Sequence, residues 1–138
     1  MISYDEFKKV EIKAGKILSA EKIPDTDKLL KLSVDFGEFE EIKPEVSTTD
    51  GVVAEGSIPE IIPVQKISKP RQIVSGISLH FPDPAVLVGK TCMFVTNLEP
   101  RNIKGHESNG MLFAVSTKEG GFSLLEPNSS IPPGTQAS

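Results

Sequence analysis

From Val10 onward apolar residues fall on every second position: Val10, Ile12 and Ala14 alternate with Glu11 and Lys13, and Ile17 resumes the apolar face after Gly15. That period predicts a strand with one buried side. A glycine inside such a strand predicts a bulge or a barrel corner. The alternation is clearest where Leu30, Leu32, Val34 and Phe36 interleave with Lys31, Ser33 and Asp35, between the turn Pro24-Asp25-Thr26-Asp27 and Gly37. Further strands are predicted over 72–79, 91–98, 111–116 and 122–125. The last two are joined by Thr117-Lys118-Glu119-Gly120-Gly121, which has hairpin length and glycines where a turn needs them. Pro82-Asp83-Pro84 opens a short helical turn running to Val88. At the start, Ser3 and Glu6 have capping-box spacing and Ile2 and Phe7 that of a hydrophobic staple, predicting a short helix with Lys8 and Lys9 in its last turn.

Five or six short strands, with one small helix between the third and fourth, predict an all-β chain folded as a small closed barrel of the OB type. A two-sheet sandwich is the alternative, and periodicity does not separate the two. Residues 39–70 break the pattern with four prolines, two glycines and the β-branched pairs Val52-Val53 and Ile61-Ile62, so they read as an excursion from the barrel, most simply an added hairpin.

Length then sets the scale: 138 residues form a single domain spanning 1–138, large enough for a core without disulfide or metal staples. The 15 Lys and Arg stand against 19 Asp and Glu, a net charge of −4, which disfavours a polyanion ligand spread over the whole surface. Residues 39–70 carry six acids and three bases, so −3 of that charge lies in the insertion and −1 in the remainder. A polyanion partner would have to be met by a local basic patch. The lone Cys92 excludes an intramolecular disulfide and any multi-cysteine zinc site, and its phase with Phe94 predicts a small buried side chain. His80 and His106 have no metal-ligand spacing, the Asp25 and Asp27 pair is sufficiently explained by turn chemistry, and no catalytic or phosphate-loop motif occurs. Neither catalysis nor a metal or cofactor is expected. Without a long apolar run or a signal-peptide order at the N-terminus, the expectation is a soluble cytoplasmic protein with no membrane partner.

The densest polar stretch is 97–111, read as a loop between strands. Arg101 and Lys104 are candidate phosphate ligands, with Asn97, Asn102 and Ser108 as hydrogen-bonding groups that fix register. A long solvated connection explains the same residues, and the residues alone leave both readings open. A second basic group comprises Lys28 and Lys31, with Arg71 opening the next strand; Lys31, out of phase with Leu30 and Leu32, should point away from the core. Tyr4, Phe36, Phe39, Phe81, Phe94, Phe113 and Phe122 mostly sit at core-phase positions, which disfavours a stacking platform for single strands. Ser75-Gly76 reads as a bulge or close-approach site, and Met111 as a core residue.

Taken together, Val10-Glu11-Ile12-Lys13-Ala14-Gly15-Lys16-Ile17, Pro24-Asp25-Thr26-Asp27-Lys28-Leu29-Leu30-Lys31-Leu32, Arg71-Gln72-Ile73-Val74-Ser75-Gly76-Ile77, Leu87-Val88-Gly89-Lys90, Asn97-Leu98-Glu99-Pro100-Arg101 and Ser108-Asn109-Gly110-Met111 resemble the tRNA-binding domain family. This is the OB-fold module found at the C-terminus of methionyl-tRNA synthetases and as free-standing tRNA-binding proteins. The resemblance implies a five-stranded barrel, C-terminal strands that make a homodimer, and a dimer that grips tRNA by shape. It implies tRNA-binding roles for Lys28, Lys31, Arg71, Ser75, Asn97, Arg101, Lys104, Ser108 and Met111. It also implies help to a synthetase catalytic chain by concentrating tRNA, with no catalysis by the module itself. Export-related relatives of the same fold suggest a peptide-binding chaperone as the alternative, although they generally lack the Ser-x-Gly-Met ending; a pure dimerisation module is a third reading.

Overall fold

The computed structural model describes residues 1–42 and 65–138. It opens with helix α1 (Tyr4–Phe7), whose first turn is capped as expected: the Ser3 hydroxyl accepts from the Glu6 amide at 3.2 Å. The helix ends before Lys8 and Lys9, so the two lysines follow its last turn. The Val10 amide donates to the Phe7 carbonyl, which keeps Val10 in the turn, and the first strand begins two residues later than the alternation predicts.

Strands β1 (Ile12–Lys22), β2 (Leu30–Asp35), β5 (Arg71–Ser75), β6 (Thr91–Val95) and β9 (Met111–Leu112) form one antiparallel sheet in the order β5-β2-β1-β6-β9. Between β2 and β5, β3 (Phe39–Ile42) pairs with β4 (Gln65–Ser68), so the two ends of the 39–70 excursion form a hairpin stem; the stretch between them lies outside the described residues. Between β5 and β6 come two 3-10 turns, 78–80 and 84–87, where the short helix was expected; Asp83 caps the second through the Ala85 amide. Strands β7 (Arg101–Ile103) and β8 (His106–Ser108) form a small hairpin, and β10 (Ala114–Ser116) pairs with β11 (Phe122–Leu124).

The sheet curls until its edges meet. The Asn109 amide donates to the Gln72 carbonyl, and the Gln72 carboxamide to the Glu107 carbonyl, joining β5 to the β8–β9 segment. A nearly closed five-stranded all-β OB barrel results, and the sandwich alternative falls away because one continuous sheet supplies the core. Alternation in β2 is obeyed residue by residue: Leu30, Leu32, Val34 and Phe36 are buried with Ile17, Ile73, Leu87, Cys92 and Phe94. Phe36 meets Phe94 edge to face with centroids 5.2 Å apart.

Gly15 stands at the corner where β1 leaves β6 and begins to pair with β2. Its missing side chain makes room for a close approach: a Cβ there would lie 2.5 Å from the Phe36 ring and 2.6 Å from a Val34 methyl. The register shift itself falls between Ile17 and Ser19.

Other boundaries moved for identifiable reasons. Strand β5 stops at Ser75, because the chain turns into the first 3-10 segment and leaves Leu79 exposed. The expected strand 111–116 is two pieces, with β9 bonded to β6 and β10 to β11. Of the aromatic residues expected mostly in core phase, Phe36 and Phe94 are buried, whereas Tyr4, with the Lys8 ammonium 4.8 Å from its ring centroid, and Phe39 are exposed. Met111, expected in the core, is also exposed, because Leu112 takes the inward position. His80 stacks on Phe122, with centroids 3.9 Å apart and rings within 6° of parallel, and so holds the β10–β11 hairpin on the barrel. The C-terminal stretch runs along β1: the Ala14 amide donates to the Thr135 carbonyl and the Ala137 amide to the Ile12 carbonyl.

Candidate nucleic-acid interface

The stretch expected to be a loop, 97–111, contains the β7–β8 hairpin. Its two-residue turn is Lys104-Gly105, with φ of 52° and 85°. Both residues are left-handed, the type I′ pattern that suits the twist of a hairpin, and the Asn102 side chain accepts from the Gly105 amide at 2.9 Å. This geometry puts Lys104 at an exposed tip, and Arg101, exposed too, at the start of the same hairpin.

Facing that tip is the turn between β1 and β2. Its shape is held by the Ile23 carbonyl, which accepts from the Thr26 hydroxyl at 2.9 Å and from the Thr26 amide at 3.3 Å. Lys28 on this turn and Lys104 on the hairpin line one recess of about 370 Å³ together with the apolar Leu29 and Ile103 and the acidic Asp25 and Asp27. Lys28, Arg101 and Lys104 form no ion pair among the described residues. Lys31 lies on the outward face of β2, as its phase requires, with its ammonium 3.5 Å from the Glu21 carboxylate on β1.

Three of the other sequence-derived candidates are held within the fold. Ser108 is buried; its hydroxyl accepts from the Val74 amide at 3.0 Å and donates to the Gly110 carbonyl at 3.1 Å. The Asn97 side chain accepts from the Glu11 amide at 2.8 Å and donates to the Lys9 carbonyl, binding the N-terminal segment to the end of β6. Arg71 donates to the Thr96 carbonyl at 2.6 Å, pairs with Glu38 and lies 5.4 Å from the Phe36 ring centroid. Ser75 sits half-buried at the end of β5 opposite Leu30, and Met111 is exposed on β9; neither lines the Lys28–Lys104 recess.

Two titrations bear on this region. Glu11 is held below the usual carboxylate range, chiefly by the Thr96 hydroxyl at 2.6 Å and further by Lys13 at 3.2 Å, against a smaller opposing effect of burial. Burial pushes the Cys92 thiol up to about 11, with Glu126 adding to the effect and Lys90 opposing it.

A second recess, unrecognised in the sequence, opens beside Arg71. It has a volume of about 530 Å³ and is lined by Glu38, Lys69, Leu98, Pro100 and Asn109 as well as Arg71. No local sequence signal marks it, because its lining comes from segments around 38, 69–72, 98–100 and 109 that only the folded barrel brings together. Among the described residues there is no cluster of metal-ligating side chains and no helix long and apolar enough to cross a membrane.

The chain is similar to known proteins in sequence and fold. The tRNA binding domain family model matches residues 60–136. A methionine–tRNA ligase of Methanospirillum hungatei is 41% identical over 135 residues, which is 98% of this chain and 15% of the ligase. The chain thus spans a small part of the curated relatives it matches. A MetRS-related protein from Pyrococcus horikoshii has the same fold, with 33% identity, a TM-score of 0.74, and coverage of 100% of this chain and 98% of that one. The chaperone CsaA of Bacillus anthracis, at 22% identity and a TM-score of 0.69 over 100% of this chain and 99% of that one, shares the fold. Because the matched stretch runs through β5, the Lys104 hairpin and Ser108, and takes in more than half of the sequence, the chain belongs to the tRNA-binding domain family.

Proposed function

We propose that the chain binds tRNA through its shape and phosphates, without reading one anticodon, and thereby concentrates tRNA for a methionyl-tRNA synthetase catalytic chain. One observation carries the reading: Lys28 and Lys104, from elements some 75 residues apart in sequence, line one exposed recess, with Arg101 on the same hairpin. Cations fixed on a rigid barrel, spaced by apolar and hydroxyl groups, suit the phosphates and 2′-hydroxyls of a folded RNA. Lys31 extends the patch along β2. Of the remaining candidates, Ser75 and Met111 lie outside the recess, while Arg71, Asn97 and Ser108 contribute by holding the elements in place.

The module contributes binding and no bond-making step, so its benefit to a catalytic chain is effective concentration. We further propose that it works in the cytoplasm as a homodimer. Val115 on β10 and Leu125 just after β11 are exposed apolar residues on one hairpin, the kind of surface a second copy would cover. Sedimentation of the chain with and without Val115→Glu tests the dimer.

Competition tests the RNA reading: labelled bulk tRNA bound to the chain is displaced by unlabelled tRNA or by an unstructured RNA of equal length. Shape recognition predicts that tRNA competes better. Equal competition would reduce the reading to general polyanion binding.

A further inference from the structure

Arg71 is built as a plate, and its surroundings differ from those of a phosphate ligand. One guanidinium nitrogen donates to the Thr96 carbonyl at 2.6 Å, the other pairs with Glu38, and the Phe36 ring centroid lies 5.4 Å from the guanidinium carbon. Glu38 neutralises the charge that a phosphate would need, while the hydrogen bonds fix the plane and leave Arg71 lining the 530 Å³ cleft. Leu98 and Pro100, apolar residues exposed at the surface, line the same cleft. Asn109 is half-buried at its wall, and its carboxamide makes no hydrogen bond among the described residues. Lys69, exposed and without an ion pair among the described residues, adds a cation to the same lining.

We infer that this cleft takes a single unstacked nucleobase, laid on the Arg71 guanidinium and covered by Leu98 and Pro100. Unpaired bases stack on planar arginine groups as they do on aromatic rings, and the free edge of the base is then read by amides. Here Asn109 supplies the amide and Lys69 meets the attached phosphate. The cleft volume falls within the roughly 300–1,000 Å³ usual for small-ligand sites. The site rests on the RNA-binding reading above and adds to it a place where one base leaves the stack.

The test is an NMR titration of the full ¹⁵N-labelled chain with adenosine and guanosine 5′-monophosphates, and separately with ribose 5-phosphate, following the Arg71 Nε–H and the Asn109 carboxamide. Ring-current shifts at both groups with a nucleotide, and none with ribose 5-phosphate, are expected. Leu98→Ala, at an exposed position that should not disturb folding, should weaken the nucleotide about fivefold or more. Equal shifts from ribose 5-phosphate, or no shift from any probe, would overturn the base site. A parallel titration with bulk tRNA separates the two claims: tRNA binding with a silent cleft overturns this inference alone. Nucleotide shifts without tRNA binding support the base site and overturn the RNA reading.

Discussion

The hydroxyl of Ser108 accepts the backbone N–H of Val74 at 3.0 Å, in the buried seam where β5 meets the β8–β9 segment. The bond closes the barrel at a place where no ladder partner reaches the Val74 amide. Ser108→Ala should leave that buried donor unpaired and lower stability by about 1–3 kcal/mol. Urea unfolding followed by circular dichroism measures it. A variant as stable as the parent would show that the seam does not depend on this side chain.

Gly15 is a close-approach residue. Adding a single methyl group forces it into the Phe36 ring and the Val34 side chain, both in a filled core. Gly15→Ala should cost about 1–3 kcal/mol by overpacking, visible as a lower urea midpoint. Phe36→Leu in the same chain should recover part of the loss, since it withdraws the nearer atoms.

The three outward cations and the held polar residues differ in how far sequence alone reveals them. Alternation in β2 placed Leu30, Leu32, Val34 and Phe36 inside and Lys31 outside, because a period of two needs only local geometry. The exposure of Lys28, Arg101 and Lys104 likewise follows from turns and short strands. Asn97 and Ser108 share the polar composition of a binding loop, and nothing local marks them as structural. Their partners Glu11 and Val74 lie 86 and 34 residues away, in segments that only the closed barrel brings together. Arg71 is similar, with Glu38 reaching it across the whole 39–70 excursion. The pairing of the C-terminal 135–137 stretch with β1 also went unseen, since Pro132-Pro133-Gly134 reads locally as an end to regular structure.

Glu11 makes the N-terminal attachment acid-sensitive. Its folded pKa is depressed from 4.5, so the stability it contributes is full above 4.5 and is lost as the pH falls through the lower folded value. Because the group is partly exposed, the effect should stay below about 1 kcal/mol. Glu11→Gln should therefore lower stability at neutral pH by up to that amount, leave it unchanged in strong acid, and so flatten the acid limb of a stability–pH curve. An unchanged acid limb would mean that Glu11 is not a contributor.

Cys92 should be chemically silent in the folded chain. It is fully buried, and its thiol titrates near 11, so thiolate is scarce at pH 8. Iodoacetamide labelling followed by mass spectrometry should show no reaction without denaturant and complete reaction in urea. Its linkage acts at high pH: the unfolded thiol ionises from 9.0, so stability should fall as the pH rises past that value.

Lys28, Arg101 and Lys104, which form no ion pair among the described residues, are proposed to grip tRNA despite a net charge of −4. The most direct measurement is the tRNA association constant at several salt concentrations, for the parent chain and for Lys28→Ala, Arg101→Ala and Lys104→Ala variants of confirmed fold. The parent should bind with a steep negative salt slope, and each variant should weaken binding and flatten that slope by about 1. Binding that ignores salt, or three variants with the parent's affinity and slope, would contradict the account.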